Sequence, residues 1–398
     1  MTWSTVPLRR VVDCLDGRRI PLNAEQRASL HGEVPYWGAN GVLDRVYGSL
    51  FNEPLVLLGE DGAPFFEVGK SVAFYVEGPI WPNNHIHVLR PRAIEPRFLA
   101  YCLNSVDYGS YITGSTRDKL TQEDLLRIVI PYPTWPEQRR IADFLDAEIR
   151  RICRIVELRQ TQDALTQDRL QAIRDGRVAA LYEKYGSVPL RRLMRSIEQG
   201  SSPQCDAVPA ADEEWGVLKL SSVKSGRFIP GENKRLPEGE LGQTASSNVV
   251  HVGDVLVTRA NTPALVGDVA VVDVGGRFLL PDLIYRVNLG ADADARYIAQ
   301  VALCTRVRSL VSAQARGSSQ SMVKLRGEDI REWPIPPAPI AEQLSFMDQI
   351  EQAGSRVAAL RSALARQISV LTERRQALIT AAVTGQMDVT TARGVGVS

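Results

Sequence analysis

Cysteine is scarce in this 398-residue chain: Cys14, Cys102, Cys153, Cys205 and Cys304 stand far apart and form no Cys-x-x-Cys pair. That argues against a zinc ribbon or a disulfide framework and leaves five ordinary small core residues. Excess charge of one sign is missing too, with 47 Lys and Arg against 46 Asp and Glu. A nucleic-acid binder of this composition would have to work through a basic face rather than a basic total. Long apolar runs are also absent. No stretch approaches the roughly 18 apolar residues of a membrane span, and no apolar run follows Arg9-Arg10, so the chain reads as cytoplasmic.

Catalytic motifs are equally hard to find. Gly69-Lys70-Ser71 suggests a phosphate loop, but Pro64 occupies the place of that motif's first glycine and a β-rich run follows instead of a helix. Glu60, Asp61, Glu67 and Lys70 suggest a metal-dependent nuclease, yet two residues separate Glu67 from Lys70 and the usual Glu-x-Lys spacing is missing. His85 and His87 alternate in a strand without a clear third metal ligand. Asn52-Glu53-Pro54-Leu55 lacks the Pro-Pro-aromatic ending with which DNA amino-methyltransferases hold a flipped base. Ser321-Met322-Val323-Lys324 has the spacing of some acyl-enzymes but not their companion motifs. No catalytic residue and no metal ligand is assigned.

What is present is a duplication. At a constant offset of 205 residues, Leu120 matches Leu325, Glu123 matches Glu328, Ile130-Pro131 matches Ile335-Pro336, and Glu137-Gln138 matches Glu342-Gln343. Gln171-Ala172 likewise matches Gln376-Ala377. Pro7-Leu8-Arg9-Arg10 recurs as Pro189-Leu190-Arg191-Arg192, so the chain reads globule, helix, globule, helix. With 44% apolar residues both globules can bury real cores.

In the second long helix Ile350, Val357, Leu364, Leu371 and Leu378 recur every seven residues, with Ala353, Leu360 and Ile368 near the intermediate positions of a coiled-coil seam. The first keeps Leu145, Ile152 and Ile173 but puts Arg159 and Thr166 where Leu belongs. About 45 helical residues reach roughly 65–70 Å, longer than one such globule is wide, so the two helices are expected to pair.

The predicted segments are a β-rich domain over 1–133, a helix over 134–186, a second domain over 187–337, a helix over 338–386 and a tail over 387–398. Strands are expected at Pro54–Leu58, Ser71–Val76 and His85–Leu89, then at Trp215–Leu220, Asp254–Arg259, Val266–Val274 and Leu283–Val287. Helices are expected from Pro96, after Thr121, and over Arg296–Val311. Trp135 and Trp333 are expected to anchor the long helices, and Glu137-Gln138 and Glu342-Gln343 to serve the helix N-termini.

Tyr36-Trp37-Gly38-Ala39-Asn40-Gly41, Trp81-Pro82-Asn83-Asn84-His85 and Gly114-Ser115-Thr116-Arg117-Asp118-Lys119-Leu120 carry a resemblance. Arg259-Ala260-Asn261-Thr262, Leu265-Val266-Gly267 and Gly317-Ser318-Ser319-Gln320-Ser321-Met322 extend it through the second half. In this order and duplicated, they make the chain resemble the specificity subunit of type I restriction-modification systems. The resemblance implies an α+β fold: two β-rich mixed α/β target recognition domains joined by two long antiparallel helices in a coiled coil, with an internal pseudo-two-fold repeat. It implies a subunit that is not itself an enzyme and reads a bipartite site in double-stranded DNA, one domain per half-site. It also implies DNA adenine methyltransferase subunits, one per repeat, and restriction/translocase subunits as partners. S-adenosylmethionine, ATP and magnesium would then reside on those partners, and this chain would carry no cofactor. The alternatives are a coiled-coil scaffold whose globules bind protein, or a nuclease or methyltransferase with an unrecognised site near Glu60–Lys70.

Phosphates are met by Arg, Lys, Ser, Thr and backbone N–H groups, and base edges by Arg, Asn and Gln, so polar loops of each globule supply the candidates. In the first domain these are Asn40, Arg45, Asn83, Asn84, Ser115, Thr116, Arg117 and Lys119. In the second they are Lys219, Ser221, Lys224, Arg259, Asn261, Ser319, Gln320, Ser321 and Lys324. Asn40, Asn83 and Asn84 are equally good turn formers.

Overall fold

The computed structural model describes residues 3–112, 118–237, 239–240, 248–319 and 322–389. The chain divides into two compact units, residues 1–161 with 363–398, and residues 162–362. The division cuts both long helices, Trp135–Tyr185 (the central helix) and Ile340–Val383 (the distal helix), so each unit owns half of each.

In the first unit an antiparallel sheet runs in the order Val12–Cys14, Ile86–Pro91, Leu55–Gly59, Ala73–Val76. Every residue of Leu55–Gly59 is buried because the sheet is covered on both faces. Side chains alternate faces along a strand. Val56 and Leu58 accordingly join one apolar cluster, and Leu55 and Leu57 the other. A second sheet places His31–Gly38 between Gly41–Val46, antiparallel, and Pro79–Pro82, parallel, with Phe51–Asn52 beyond. Thr5–Pro7 pairs with Val129–Pro131 just before the central helix begins.

The second unit repeats this plan. Its four-stranded sheet runs Met194–Gln199, Ile284–Leu289, Val255–Thr258, Val269–Val271. Gly216–Leu218 lies between Asn233–Arg235, antiparallel, and Phe278–Leu279, parallel. Val188–Pro189 pairs with Pro334–Ile335, as Thr5–Pro7 does with Val129–Pro131.

Four glutamines tie the long helices to one short helix in each unit. Gln138, 1% exposed, accepts the Glu95 N–H at 2.8 Å and donates to the Pro133 carbonyl at 2.9 Å. Glu95 caps the helix Pro96–Leu103, and Gln376 of the distal helix donates to the Asn104 carbonyl at its other end, at 2.9 Å. In the second unit Gln343 accepts the Asp294 N–H at 2.8 Å, where the helix Ala295–Ala302 begins, and Gln171 donates to the Leu303 carbonyl at 3.1 Å. Each short helix is thus held at its start by one long helix and at its end by the other. Unmatched backbone groups at helix ends need such partners.

Both long helices also enter each unit's core. Ile141, Ala142 and Leu145 share a cluster with Ile379, Ala382 and Val383 in the first unit. Val178 and Leu181 share one with Phe346, Met347 and Ile350 in the second. The start of one helix meets the end of the other in both cases, so they run antiparallel. Arg361 and Asp163 pair across them at 2.7 Å in the second unit.

Several expectations change. The stretch expected as one helix over Arg296–Val311 is two, Ala295–Ala302 and Thr305–Gln314. Asp175 of the central helix accepts the Thr305 N–H at 2.7 Å and its hydroxyl at 2.6 Å, supplying the start of the second. The strand expected over Val266–Val274 is confined to Val269–Val271, because Thr262–Gly267 turns. Leu360 is 42% exposed and lies off the seam, whereas Thr166 is buried with its hydroxyl satisfied by the Gln162 carbonyl. Trp333 is buried as an anchor should be, but Trp135 is 48% exposed and is not one.

Candidate nucleic-acid interface

In the first unit the candidates gather around one strand end. Gly59 closes the strand Leu55–Gly59, and a Cβ there would stand 3.0 Å from the Ala39 carbonyl and 2.3 Å from Ala63 Cβ, so only glycine lets the Ala39-Asn40 turn approach. The exposed Asn40 shares a hollow of about 310 Å³ with Asp61, Asn83, His85 and Leu43. Lys119 is bridged to Asp61 through backbone and pairs with Glu60 at 3.3 Å. Asn83 is buried: its side chain accepts the His85 N–H at 2.8 Å, the role of a turn former. Asn84 beside it is exposed. Arg45 stands apart on the hairpin, donating to the Glu33 carbonyl at 2.8 Å. Ser115, Thr116 and Arg117 lie outside the described residues.

Beneath this loop set lies an ion-pair network that sequence reasoning missed. His87, 1% exposed, meets Asp16 through Nδ1 at 2.6 Å and donates from Nε2 to the Leu120 carbonyl at 2.9 Å. Arg19 bonds Glu60 at 2.7 Å and the Ile86 carbonyl at 2.9 Å, and Leu120 N–H donates to the Glu60 carbonyl at 2.8 Å. Burial pushes the Asp16 carboxyl up, but the His87 bond and charge, the Val88 N–H and Arg19 together hold it below its ordinary value. Cys14, Asp16 and His87 lie close enough to offer ligands to one metal ion. Both His87 nitrogens are already engaged, and burial pushes the Cys14 thiol up to about 12, so the trio fits an ion pair and a packed thiol better than a metal site.

The acidic stretch considered for a nuclease is also tied up in pairs. Glu60 faces Arg19 and Lys119, and Glu67 faces Lys70 at 2.6 Å. Gly69-Lys70-Ser71 docks on the distal helix instead of forming a phosphate loop. Arg375 donates to the Gly69 carbonyl at 3.2 Å and to Ser71 Oγ at 2.7 Å. Gly69 has φ +81° and sits so close to Thr372 that a Cβ would stand 2.0 Å from its methyl.

In the second unit Ala260–Asn261 pairs with Met322–Lys324, which pairs in turn with Arg316–Ser319. This brings Arg259, Asn261 and the exposed Lys324 together. Arg259 is half-buried, donates to the Asp282 carbonyl at 3.3 Å and lies 6.0 Å from the Tyr285 ring centre. Asn261 bonds the adjacent Thr262 N–H at 2.8 Å. Lys219 and Ser221 are both engaged by Glu232, at 3.7 Å and 2.6 Å. Lys224 projects from a hairpin. Gln320 and Ser321 lie outside the described residues, as does the side chain of Ser319. The register is the same as in the first unit: Leu325 N–H donates to the Arg259 carbonyl at 2.8 Å, as Leu120 does to Glu60.

Residues 1–164 match the family model described as the type I restriction modification DNA specificity domain. A Haemophilus influenzae protein named as a type I restriction enzyme specificity subunit is 35% identical over 142 residues, 35% of this chain and 36% of that protein. The type I restriction enzyme EcoEI specificity subunit of Escherichia coli is 33% identical over 165 residues, 40% of this chain and 27% of that protein. The match therefore spans about a third of these relatives' lengths. A solved structure from work on complex assembly and conformational transition of the type I R-M system superposes with TM-score 0.67 at 18% identity, covering 97% of this chain and 98% of that one. Fold is thus shared over nearly the whole chain, and sequence over the first domain. Among the described residues no helix is long and apolar enough to cross a membrane.

Proposed function

We propose that this chain, which carries a type I restriction modification DNA specificity domain over residues 1–164, is the DNA-recognition subunit of such a system and reads a bipartite site in double-stranded DNA. The observation that carries the reading is the repeated loop set. In each unit a polar turn at the end of the central strand is stitched to an incoming segment through the same backbone bond, Leu120 to Glu60 and Leu325 to Arg259. A protein that reads two half-sites needs two similar surfaces, and a single active site does not.

On this reading the chain is not catalytic and works in the cytoplasm. Two DNA adenine methyltransferase subunits, one per repeat, supply S-adenosylmethionine chemistry, and restriction/translocase subunits supply ATP- and magnesium-dependent translocation and cleavage. This chain supplies positioning: phosphate contacts set the register and side chains from the loops meet base edges.

The test is to co-express the chain with the methyltransferase subunit of its own system and map modified adenines across a host genome. A split motif with a fixed spacer, altered on one side only when residues 1–133 are exchanged for those of a relative, is the expected result. A stable complex that adds no methylation would count against it.

A further inference from the structure

Strands Val223–Lys224 and Arg227–Phe228 form a hairpin in the second unit, with Val223 opposite Phe228 and Lys224 opposite Arg227. Its tip is Ser225-Gly226, with φ of 49° and 86°. This left-handed pair follows the twist of a tight hairpin, but Asn, Asp or Gly is the usual first residue. Ser225 is the one non-glycine residue with positive φ among the described residues. Lys224 and Arg227 are directly opposed like charges, which weakens a strand pair. The hairpin therefore breaks two local rules, and such breaches concentrate at functional sites.

What holds it is Asp268, only 5% exposed, whose carboxylate accepts the Ser225 N–H at 2.7 Å and the Val269 N–H at 2.9 Å. Gly226 N–H donates to the Val269 carbonyl at 2.8 Å. Asp268 N–H donates to Thr258 Oγ1 at 2.9 Å, and that hydroxyl donates to the Leu265 carbonyl at 2.9 Å. The hairpin is thereby fastened to the turn that carries Arg259 and Asn261. Val223 and Phe228 are buried with Leu256, Ala270 and Ile284, while Lys224, Ser225 and Arg227 are exposed. Among the described residues neither cation forms an ion pair, whereas Lys219, Arg235 and Arg277 each face a carboxylate.

We propose that Lys224 and Arg227 form a phosphate clamp of the second domain, with Asp268 as its positioning residue. Backbone phosphates of duplex DNA relieve the repulsion between the two cations, while the Asp268 brace also holds the turn from which Arg259 and Asn261 meet bases. The proposal rests on the DNA-recognition reading above and adds Arg227, the mode of contact and the brace.

The test uses the full chain in complex with its methyltransferase subunit and a duplex carrying the mapped motif, with binding followed against salt. Each phosphate contact contributes about 0.9 to the slope of log affinity against log salt. The K224A/R227A variant should therefore flatten the slope by about 1.8 and leave the methylated motif unchanged, while K184A, at the end of the central helix, leaves the slope alone. D268N replaces one acceptor oxygen with a donor; it should flatten the slope as well and blur bases in one half-site only. A wild-type slope in K224A/R227A overturns the clamp, and unchanged specificity in an assembled D268N complex overturns the brace. Both surface cations can be removed without touching the core, so the clamp is testable even if D268N fails to fold. A wild-type complex that methylates nothing and binds without salt dependence would overturn the parent reading, and the clamp with it.

Discussion

His87 and Asp16 are the residues whose surroundings change their meaning most. Read along a strand, His87 is a candidate metal ligand; folded, it joins Asp16 to the Leu120 carbonyl and so supports the segment carrying Lys119. H87L would leave Asp16 buried without its main partner, and breaking such a pair costs about 3–5 kcal/mol, readable by urea denaturation. Asp16 also predicts a pH dependence. Its carboxyl is held below its ordinary value in the fold. The resulting stability is present above the unfolded value, about 3.9, and is lost as pH falls through the folded one. The first unit should weaken in acid below about pH 4, and D16N, less stable at neutral pH, should show a shallower acid limb. An unchanged limb in D16N would remove Asp16 from the account.

At the scale of elements, the glutamine clamps explain why the repeat is legible where it is. Gln138 matches Gln343 and Gln171 matches Gln376 because each pair performs one task on the two short helices. A Gln138→Leu change orphans the Glu95 N–H and the Pro133 carbonyl inside the protein. Leaving such groups unpaired costs about 1–3 kcal/mol each. The variant should lose several kcal/mol in chemical denaturation; Q376A, which frees one partly buried carbonyl, should lose about 1. A neutral Q138L would mean that water replaces the clamp. The loops were less legible. Asn83 and Lys219 have the chemistry of DNA contacts, but one is spent on a turn and the other on Glu232. Arg227 looked ordinary because Ser225-Gly226 is not the usual Asn-Gly or Asp-Gly signal for the two-residue turn that sets it opposite Lys224.

For the whole molecule, each unit is closed by chain from distant parts of the sequence. Ile379, Ala382 and Val383 complete the first core, and Arg375 and Gln376 hold its loops. Residues 1–161 alone should therefore be protease-sensitive, and a peptide spanning 363–389 added in trans should restore resistance. Equal resistance with and without the peptide would contradict this. The near-neutral total of +1 predicts weak DNA binding by the lone chain and tight binding only with its partners. Nanomolar affinity of the isolated chain at physiological salt would refute that.

By itself the sequence determined the duplication, the α+β class, the two long helices and the order of the β-rich segments, because these are written in local periods and in repeated residues. Only the tertiary structure decided the rest. It split 295–314 into two helices through Asp175, turned Gly69-Lys70-Ser71 into a docking loop, and converted His87 into half of an ion pair. Each of these outcomes depends on a partner more than 70 residues away. No local pattern encodes the identity of such a partner.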